Sequence, residues 1–528
     1  MKIRTISIFC VITLFFSVAS WRIYDIALNS DVTVAGKYTT SKLTVWEPRG
    51  NIYDRNGNKL VGTQIRYVAA VSPNLSTINE INKKLGNAAP SALEMLSGGK
   101  PTVIDATADF SCDESMLFRV PVRYSADQIA AHLIGYADLS GHGVTGIELA
   151  YDDLLTADEP VTVTYTVDAT GRPLSGVKPS VSGTTDIKTG VILTIDSAIQ
   201  KIAERAAPDL GTGAVIIMDP SNGDILAMAS VPDYSPLDVA ASLNNSSAPL
   251  VNRALASYNV GSVFKILVAA SALDGGVSAG FENACTGSVK IGENLFGCHE
   301  YGGHGMVDMK KALCGSCNPY FISLAERIGG EKILSLCENL GFGEKRSLAN
   351  NLFAAKSTLP KKETVTAQPA ALANFAFGQG ELLLTPVDVA VMTAMIANGG
   401  YAVTPKAVCG VMLADGGVKE YYTDKPRRVI SETAAKSVAE MMCAVVSEGT
   451  GGAAMPNVGG AGGKTATAEA GYKVDDQKVN QCWFSGFYPA ENPKYVITVL
   501  GENGESGAKT AAPVFKRVCD AIYEAGIA

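Results

Sequence analysis

Positive charge is in deficit: 44 lysines and arginines face 52 aspartates and glutamates, the formal net charge is -8, and no basic tract breaks the pattern. Such a chain lacks the electrostatic footprint of a nucleic-acid binder, which excludes DNA and RNA as partners. Internal repeats, coiled-coil heptads and low-complexity tails are also missing, so solenoid and fibrous classes drop out. The eleven cysteines lack the dense, regular spacing of a disulfide scaffold, and Cys10 falls inside an apolar run; free thiols fit this pattern. Gly463-Lys464 is not a nucleotide loop either. The glycine required five residues earlier is Val458, and nothing marks a helix starting at Thr465.

What is present is folded material, 47% hydrophobic and 18% charged over 528 residues, long enough for two or more domains. Ile6 to Trp21 is an uncharged apolar run preceded by Lys2 and Arg4. It reads as a single membrane-spanning helix whose basic tail stays cytoplasmic while the body is exported. A cleaved signal peptide is the rival, since Ser17-Val18-Ala19 offers small residues to a peptidase. The expected organisation is a tail and anchor over 1–30, a mixed accessory domain over 31–190 opening on a polar stalk at 31–45, and a second domain over 191–528. In that second domain Asp196 caps a helix over Ser197 to Ala206. Gly213 to Met218 and Asp224 to Ser230 form a hairpin, and Trp483 to Tyr488 pairs with Tyr495 to Leu500 ahead of a helix from Pro513 to Tyr523. Strands at both ends closing one antiparallel sheet around helical material predict an α/β (α+β) domain.

Three short motifs carry chemistry. In Gly261-Ser262-Val263-Phe264-Lys265 the serine sits at a helix start and the lysine one turn later on the same face, so a desolvated Lys265 can take the hydroxyl proton as Ser262 attacks a carbonyl. Ser316-Cys317-Asn318 projects a hydroxyl and an amide to one cleft, a proton relay and a substrate hydrogen-bonding group. Gly462-Gly463-Lys464-Thr465-Ala466-Thr467-Ala468 suits an edge strand with Thr465 and Thr467 facing the cleft and Lys464 at its floor as a carboxylate receptor. Backbone N–H groups of Ser262 and Thr467 would make the oxyanion hole. With Lys265 as base, His132, His142, His299 and His304 are left to core and turn hydrogen bonding. Cys298, His299, His304, Cys314 and Cys317 raise a zinc hypothesis, but the set has no paired-ligand pattern at both ends and no metal is assigned.

The three motifs in this order resemble the signatures of the penicillin-binding protein and serine β-lactamase superfamily. Arg49 to Gly57, His132 to Tyr136, Gly146-Ile147-Glu148, Asp219 to Pro232, Asn252-Arg253-Ala254, Gly303-His304-Gly305, Gly378-Gln379-Gly380 and Ala511 to Phe515 extend the resemblance to the class B penicillin-binding proteins. That resemblance implies a transpeptidase domain with an antiparallel sheet flanked by helices, an elongated N-terminal pedestal, and a single-pass membrane protein acting outside the cell. It implies a peptidoglycan D,D-transpeptidase with Ser262 acylated, Lys265 as base, Ser316 as proton shuttle, Asn318 as substrate contact, and Lys464, Thr465 and Thr467 binding the substrate or β-lactam carboxylate. No cofactor is implied, and a membrane glycan polymerase is the implied partner. Rival readings on the same residues are a D,D-carboxypeptidase, a β-lactamase or a noncatalytic scaffold. One departure bears on that choice: Ala466 stands where the family has glycine, an added methyl expected beneath the cleft where the serine-bearing helix packs. Arg49, Asp54 and Arg55 are expected to join one buried ion-pair network in the pedestal.

Overall fold

The computed structural model describes residues 2–29, 39–156, 159–421, 424–474 and 477–527. The N-terminal helix spans Lys2–Asn29, and its stretch Ile6–Asp25 is long and apolar enough to cross a membrane. Residues 31–38 of the expected stalk lie outside the described residues. Its remainder is not a stalk: Thr39–Trp46 is a strand paired antiparallel with Val161–Val167. The Thr/Ser-rich composition hid it, because only Leu43 and Val45 mark its inward face while the neighbouring strand supplies the rest of the apolar surface.

The chain folds into two compact units. The first takes residues 1–48, 65–121 and 158–186. It holds two three-stranded sheets, one of Thr39–Trp46, Val161–Val167 and Ser180–Ser182, the other of Thr102–Ala106, Gln64–Val71 and Met116–Val122. Alternation along Gln64–Val71 gives each face a task. Val68 and Ala70 pack with Val45, Val163 and Tyr165 between the sheets, and Ala69 and Val71 pack with Ile81, Ala92 and Leu96 of two covering helices.

The second unit takes residues 49–64, 122–157 and 187–528, so contacts do not divide the chain at residue 190. The physical reason is a nonlocal ladder: Asn51–Tyr53 pairs in parallel with Gly190–Ile192. Gly190 permits it, since a Cβ there would lie 2.1 Å from the Asn51 carbonyl oxygen. The expected single network of Arg49, Asp54 and Arg55 is three separate interactions. Arg49 meets the fully buried Glu148 at 2.6 Å and Asp152 at 2.7 Å, with Arg123 also on Glu148. Asp54 accepts hydrogen bonds from the Asn56 and Asn58 amides and from Ser197 Oγ, and Arg55 reaches Asp224 at 3.5 Å. Arg49→Ala leaves Glu148 short of one cation in a dry site and is expected to cost about 3 kcal/mol. Denaturant titration checks this; a loss below about 1 kcal/mol would show that Arg123 and Tyr124, whose hydroxyl donates to Glu148 at 3.0 Å, suffice for Glu148.

The core of this unit is a five-stranded antiparallel sheet in the order β2-β1-β5-β4-β3, where β1 is Gly213–Met218, β2 Ile225–Val231, β3 Gly462–Val474, β4 Gln477–Tyr488 and β5 Tyr495–Glu502. Both hairpins follow the sequence expectation, and Asp196 caps Ser197–Ala206 through its carboxylate to the Ala198 and Ile199 amides. On β1, Val215 and Ile217 face the helices Ser197–Ala206 and Ala512–Glu524. Ala214, Ile216 and Met218 face the opposite helical layer, which includes α1, Lys265–Asp274. Strand β3 lies at the sheet edge, which leaves one of its sides free to line a cleft.

Candidate functional site

Gly261 begins one turn of 3-10 helix, Gly261–Phe264, that runs directly into α1. Its φ of 61° and the close packing beneath it explain the glycine. An added Cβ would sit 3.1 Å from Ala468 Cβ and 3.4 Å from Ala466 Cβ. These contacts bring β3 onto the turn carrying Ser262, and they put the Ala466 methyl under the cleft as the sequence predicts. Asn259, just before the turn, receives the Trp483 indole N–H on its carbonyl at 2.9 Å and donates its amide to the Glu469 carbonyl at 3.0 Å. Since that carbonyl points off the sheet edge, the two-residue period aims the Thr467 N–H the same way, toward the Ser262 segment. The Ser262 N–H lies in the first helical turn, where amides have no intrahelical partner.

Lys265 is fully buried. Its Nζ donates to the Ser316 carbonyl at 2.7 Å, to Ser316 Oγ at 3.2 Å and to Asn318 Oδ1 at 2.7 Å, and it lies 5.5 Å from the Phe321 ring centroid. Burial pushes its ammonium down to about 7, against the opposing pull of Cys317 and Cys298. The triplet that receives it bridges α2, Met309–Cys314, and α3, Asn318–Ile328. Ser316 adopts φ 52°, a conformation costly for serine, and turns its carbonyl and hydroxyl to one amine. Asn318 has both ends of its amide engaged, Oδ1 by Lys265 and Nδ2 by the Gly297 carbonyl at 2.9 Å. Lys265, Ser316 and Asn318 therefore form one connected set.

Lys464 is also fully buried, with Nζ donating to the Thr465 carbonyl at 3.0 Å. Burial first, and then the charge of Lys265, holds it well below the ordinary lysine value. Two lysines thus share one dry floor, where burial disfavours the charge of both and an incoming anion would favour it. Thr467 is exposed and its Oγ1 accepts the Gly507 N–H at 3.0 Å. Thr465 departs from expectation: it is buried, and its hydroxyl is hydrogen-bonded to Thr450 Oγ1 at 3.0 Å. Thr450 follows α4, Glu432–Glu448, which packs over β3. Sequence alternation placed Thr465 on the face shared with Thr467 but carried no sign of the helix covering it. Asn259, Trp483, Gly507 and Thr450 were not singled out from the sequence; only the fold brings them to the motifs.

Among the described residues one further group stands beside this site: Cys285, Cys298, His304 and Cys317, whose ligand atoms lie within 4.8 Å of one another. The sequence-based set differed, because it contained His299 and Cys314 and lacked Cys285.

A family model described as the penicillin binding protein transpeptidase domain matches residues 213–520. Stage V sporulation protein D of Bacillus subtilis is 28% identical, the match covering 95% of this chain and 82% of that protein. Among solved structures, the D,D-transpeptidase domain of a peptidoglycan glycosyltransferase from Eggerthella lenta is 26% identical with a TM-score of 0.66, covering 91% of this chain and all of that one. Penicillin-binding protein 2 of Helicobacter pylori, solved in complex with MreC, shares the fold at 22% identity and a TM-score of 0.68, covering 93% of this chain and 100% of that one.

Proposed function

Because the chain belongs to the penicillin-binding protein transpeptidase family and is a serine-type peptidoglycan D,D-transpeptidase, we propose the roles of its individual residues in that reaction. Ser262 Oγ attacks the penultimate D-Ala carbonyl of a stem pentapeptide, and Lys265, neutral in part near pH 7 because of its burial, accepts the hydroxyl proton. The oxyanion is held by the Ser262 and Thr467 N–H groups. Collapse breaks the peptide bond, and the departing D-Ala amine takes its proton from Lys265 through Ser316. An amine of a second stem then attacks the acyl-enzyme, its proton returns by the same route, and Ser262 is regenerated. The anchoring groups for the terminal carboxylate are Lys464 and Thr467, with Thr465 acting through its contact with Lys464; Asn318 fixes Lys265 and flanks the substrate amide. The single observation that carries this reading is the three-way hydrogen bonding of the buried Lys265 Nζ by Ser316 and Asn318.

The rest of the protein suits work at a membrane-associated wall-synthesis complex. The helix Ile6–Asp25 serves as a single-pass anchor, the unit built on residues 39–48, 65–121 and 159–186 as the pedestal, and a membrane glycan polymerase as the partner whose strands are cross-linked. Anchoring both activities in one membrane raises their mutual concentration. β-Lactams, which present an acylating carbonyl and a carboxylate, label the same serine.

Incubating the detergent-purified full chain with a stem pentapeptide, with and without an acceptor amine, tests the acceptor. A cross-linked product accompanying D-Ala release is the expected result. D-Ala release with hydrolysed donor alone would assign carboxypeptidase chemistry instead. Ala466 tunes the site: Ala466→Gly removes a methyl packed on Gly261 and lets β3 close toward Ser262. The penicillin acylation rate is expected to rise on the order of tenfold, while stability falls by about 1 kcal/mol from the lost methyl and the added chain entropy. An acylation rate equal to that of the parent removes the idea.

A further inference from the structure

Three buried thiols and one imidazole converge beneath the Ser316-Cys317-Asn318 triplet. Cys285 ends the strand Asn283–Cys285, opposite Gly305 of the strand Gly305–Val307. Cys298 follows the strand Asn294–Gly297, and Cys317 caps α3. Their exposures are 2%, 5% and 0%. The Cys317 Sγ lies within 4.8 Å of the Cys298 and Cys285 sulfurs, and Cys298 Sγ lies 3.5 Å from His304 Nδ1. The other imidazole nitrogen points away, toward Gly315, where an added Cβ would come within 2.8 Å of Nε2. The loop that delivers Cys298 and His304 is drawn tight by glycines. At Gly287 a Cβ would meet the Tyr301 carbonyl oxygen at 2.1 Å, and at Gly303 the Cys285 carbonyl oxygen at 2.2 Å. By contrast, Cys337, Cys482 and Cys519, equally buried, belong to no such group among the described residues.

We propose that Cys285, Cys298, His304 and Cys317 bind one zinc ion as a closed, structural site that braces the Ser316-Cys317-Asn318 triplet. Three sulfur donors and one nitrogen at mutual distances within 4.8 Å suit a tetrahedral ion, for which bonds of about 2.3 Å to sulfur place the donors roughly 3.8 Å apart. The absence of oxygen donors in the set disfavours calcium and magnesium, and the soft thiolates favour zinc. On binding, the three thiols give their protons to solvent and neutral His304 coordinates through Nδ1, leaving the site one net negative charge. All four positions are taken by protein, so the ion polarises no substrate; it holds Cys317 from below. Residues 316 and 318, one on either side, are those that grip Lys265, so the ion is a positioning device for them and sits apart from the acyl transfer itself.

The full-length chain, purified in detergent under reducing conditions, is assayed for metal by mass spectrometry and then titrated with cobalt(II) alone after chelation. About one zinc per chain is expected, together with a thiolate-to-cobalt charge-transfer band and the ligand-field absorption of a tetrahedral ion. Cys298→Ser and His304→Ala should each weaken metal binding at least about tenfold, whereas Cys519→Ser and Ser262→Ala bind as the parent does. Retention by Ser262→Ala separates this site from the acyl-transfer reading. Chelation should also slow penicillin acylation, and zinc should restore it. The proposal is overturned if cobalt gives no thiolate charge-transfer band with the reduced parent chain, a readout that needs no variant to fold. It is equally overturned if Cys298→Ser keeps the parent's affinity, or if the purified chain proves to carry a disulfide between two of these cysteines that excludes metal.

Discussion

Lys265→Met reduces β-lactam acylation by roughly 10³-fold or more, while the folded protein keeps or gains thermal stability. Removing a general base from a nucleophile that cannot ionise by itself costs on the order of 10² to 10⁴ in rate. The stability result is a balance: the ammonium is fully enclosed, and the desolvation cost that an apolar side chain of similar length avoids offsets the hydrogen bonds lost at Ser316 and Asn318. The parent enzyme's pH profile carries the complementary signature. Burial pushes Lys265 down to about 7, so the neutral, proton-accepting form is the minority below that value and the majority above it. Acylation should rise with pH through this region and level off above it, with Lys464, Cys317 and Cys298 the titratable groups nearest the amine. Stopped-flow acylation across the pH range checks this. A profile still rising steeply well above pH 8 would mean that the accepting amine titrates as an ordinary lysine and that burial does not lower Lys265.

Ser262→Ala abolishes D-Ala release and cross-linking, a loss of roughly 10⁴-fold or more, because no other hydroxyl stands at the start of α1 to form the acyl bond. Stability should change by less than about 1 kcal/mol, since the side chain is only partly buried and is not part of the core. Product analysis by mass spectrometry is the readout. Turnover retained within tenfold would move the nucleophile elsewhere, Ser316 being the nearest candidate.

The parts of this site that were legible in the sequence are those that local chemistry writes. Ser262 and Lys265 are one helical turn apart, and the structure places them on one continuous turn and helix. Ser316 and Asn318 flank one residue, and both reach the same amine. The strands around Asp219 to Gly223 and the cap at Asp196 follow from turn and capping residues in the same way. What escaped the sequence depends on segments far apart in the chain. Thr39–Trp46 has the composition of a linker and becomes a strand only because Val161–Val167 pairs with it. Residues 49–64 join the larger unit through a ladder with Gly190–Ile192, which no local pattern announces. Cys285 joins a group with residues 13 to 32 positions later only because short strand pairs fold across it, and Thr465 is buried by Thr450, in the turn that follows a helix outside its own strand.

The resemblance supplied the order of the motifs, and the geometry adds how they are held. Ser316 is strained in φ, Asn318 is tied back to Gly297, and Lys265 fills the space between them with all three of its protons directed. In its neutral form the amine gives up one of these three contacts, and the freed lone pair takes the proton of the hydroxyl one turn before it.

Whether Ser262 is the acylated nucleophile is decided by the intact mass of the full-length chain after brief exposure to a penicillin, followed by peptide mapping. A single added drug mass is expected on the peptide containing Ser262, absent from Ser262→Ala and formed far more slowly by Lys265→Met. A folded protein that acquires no adduct, or one that carries it on another serine, would contradict it.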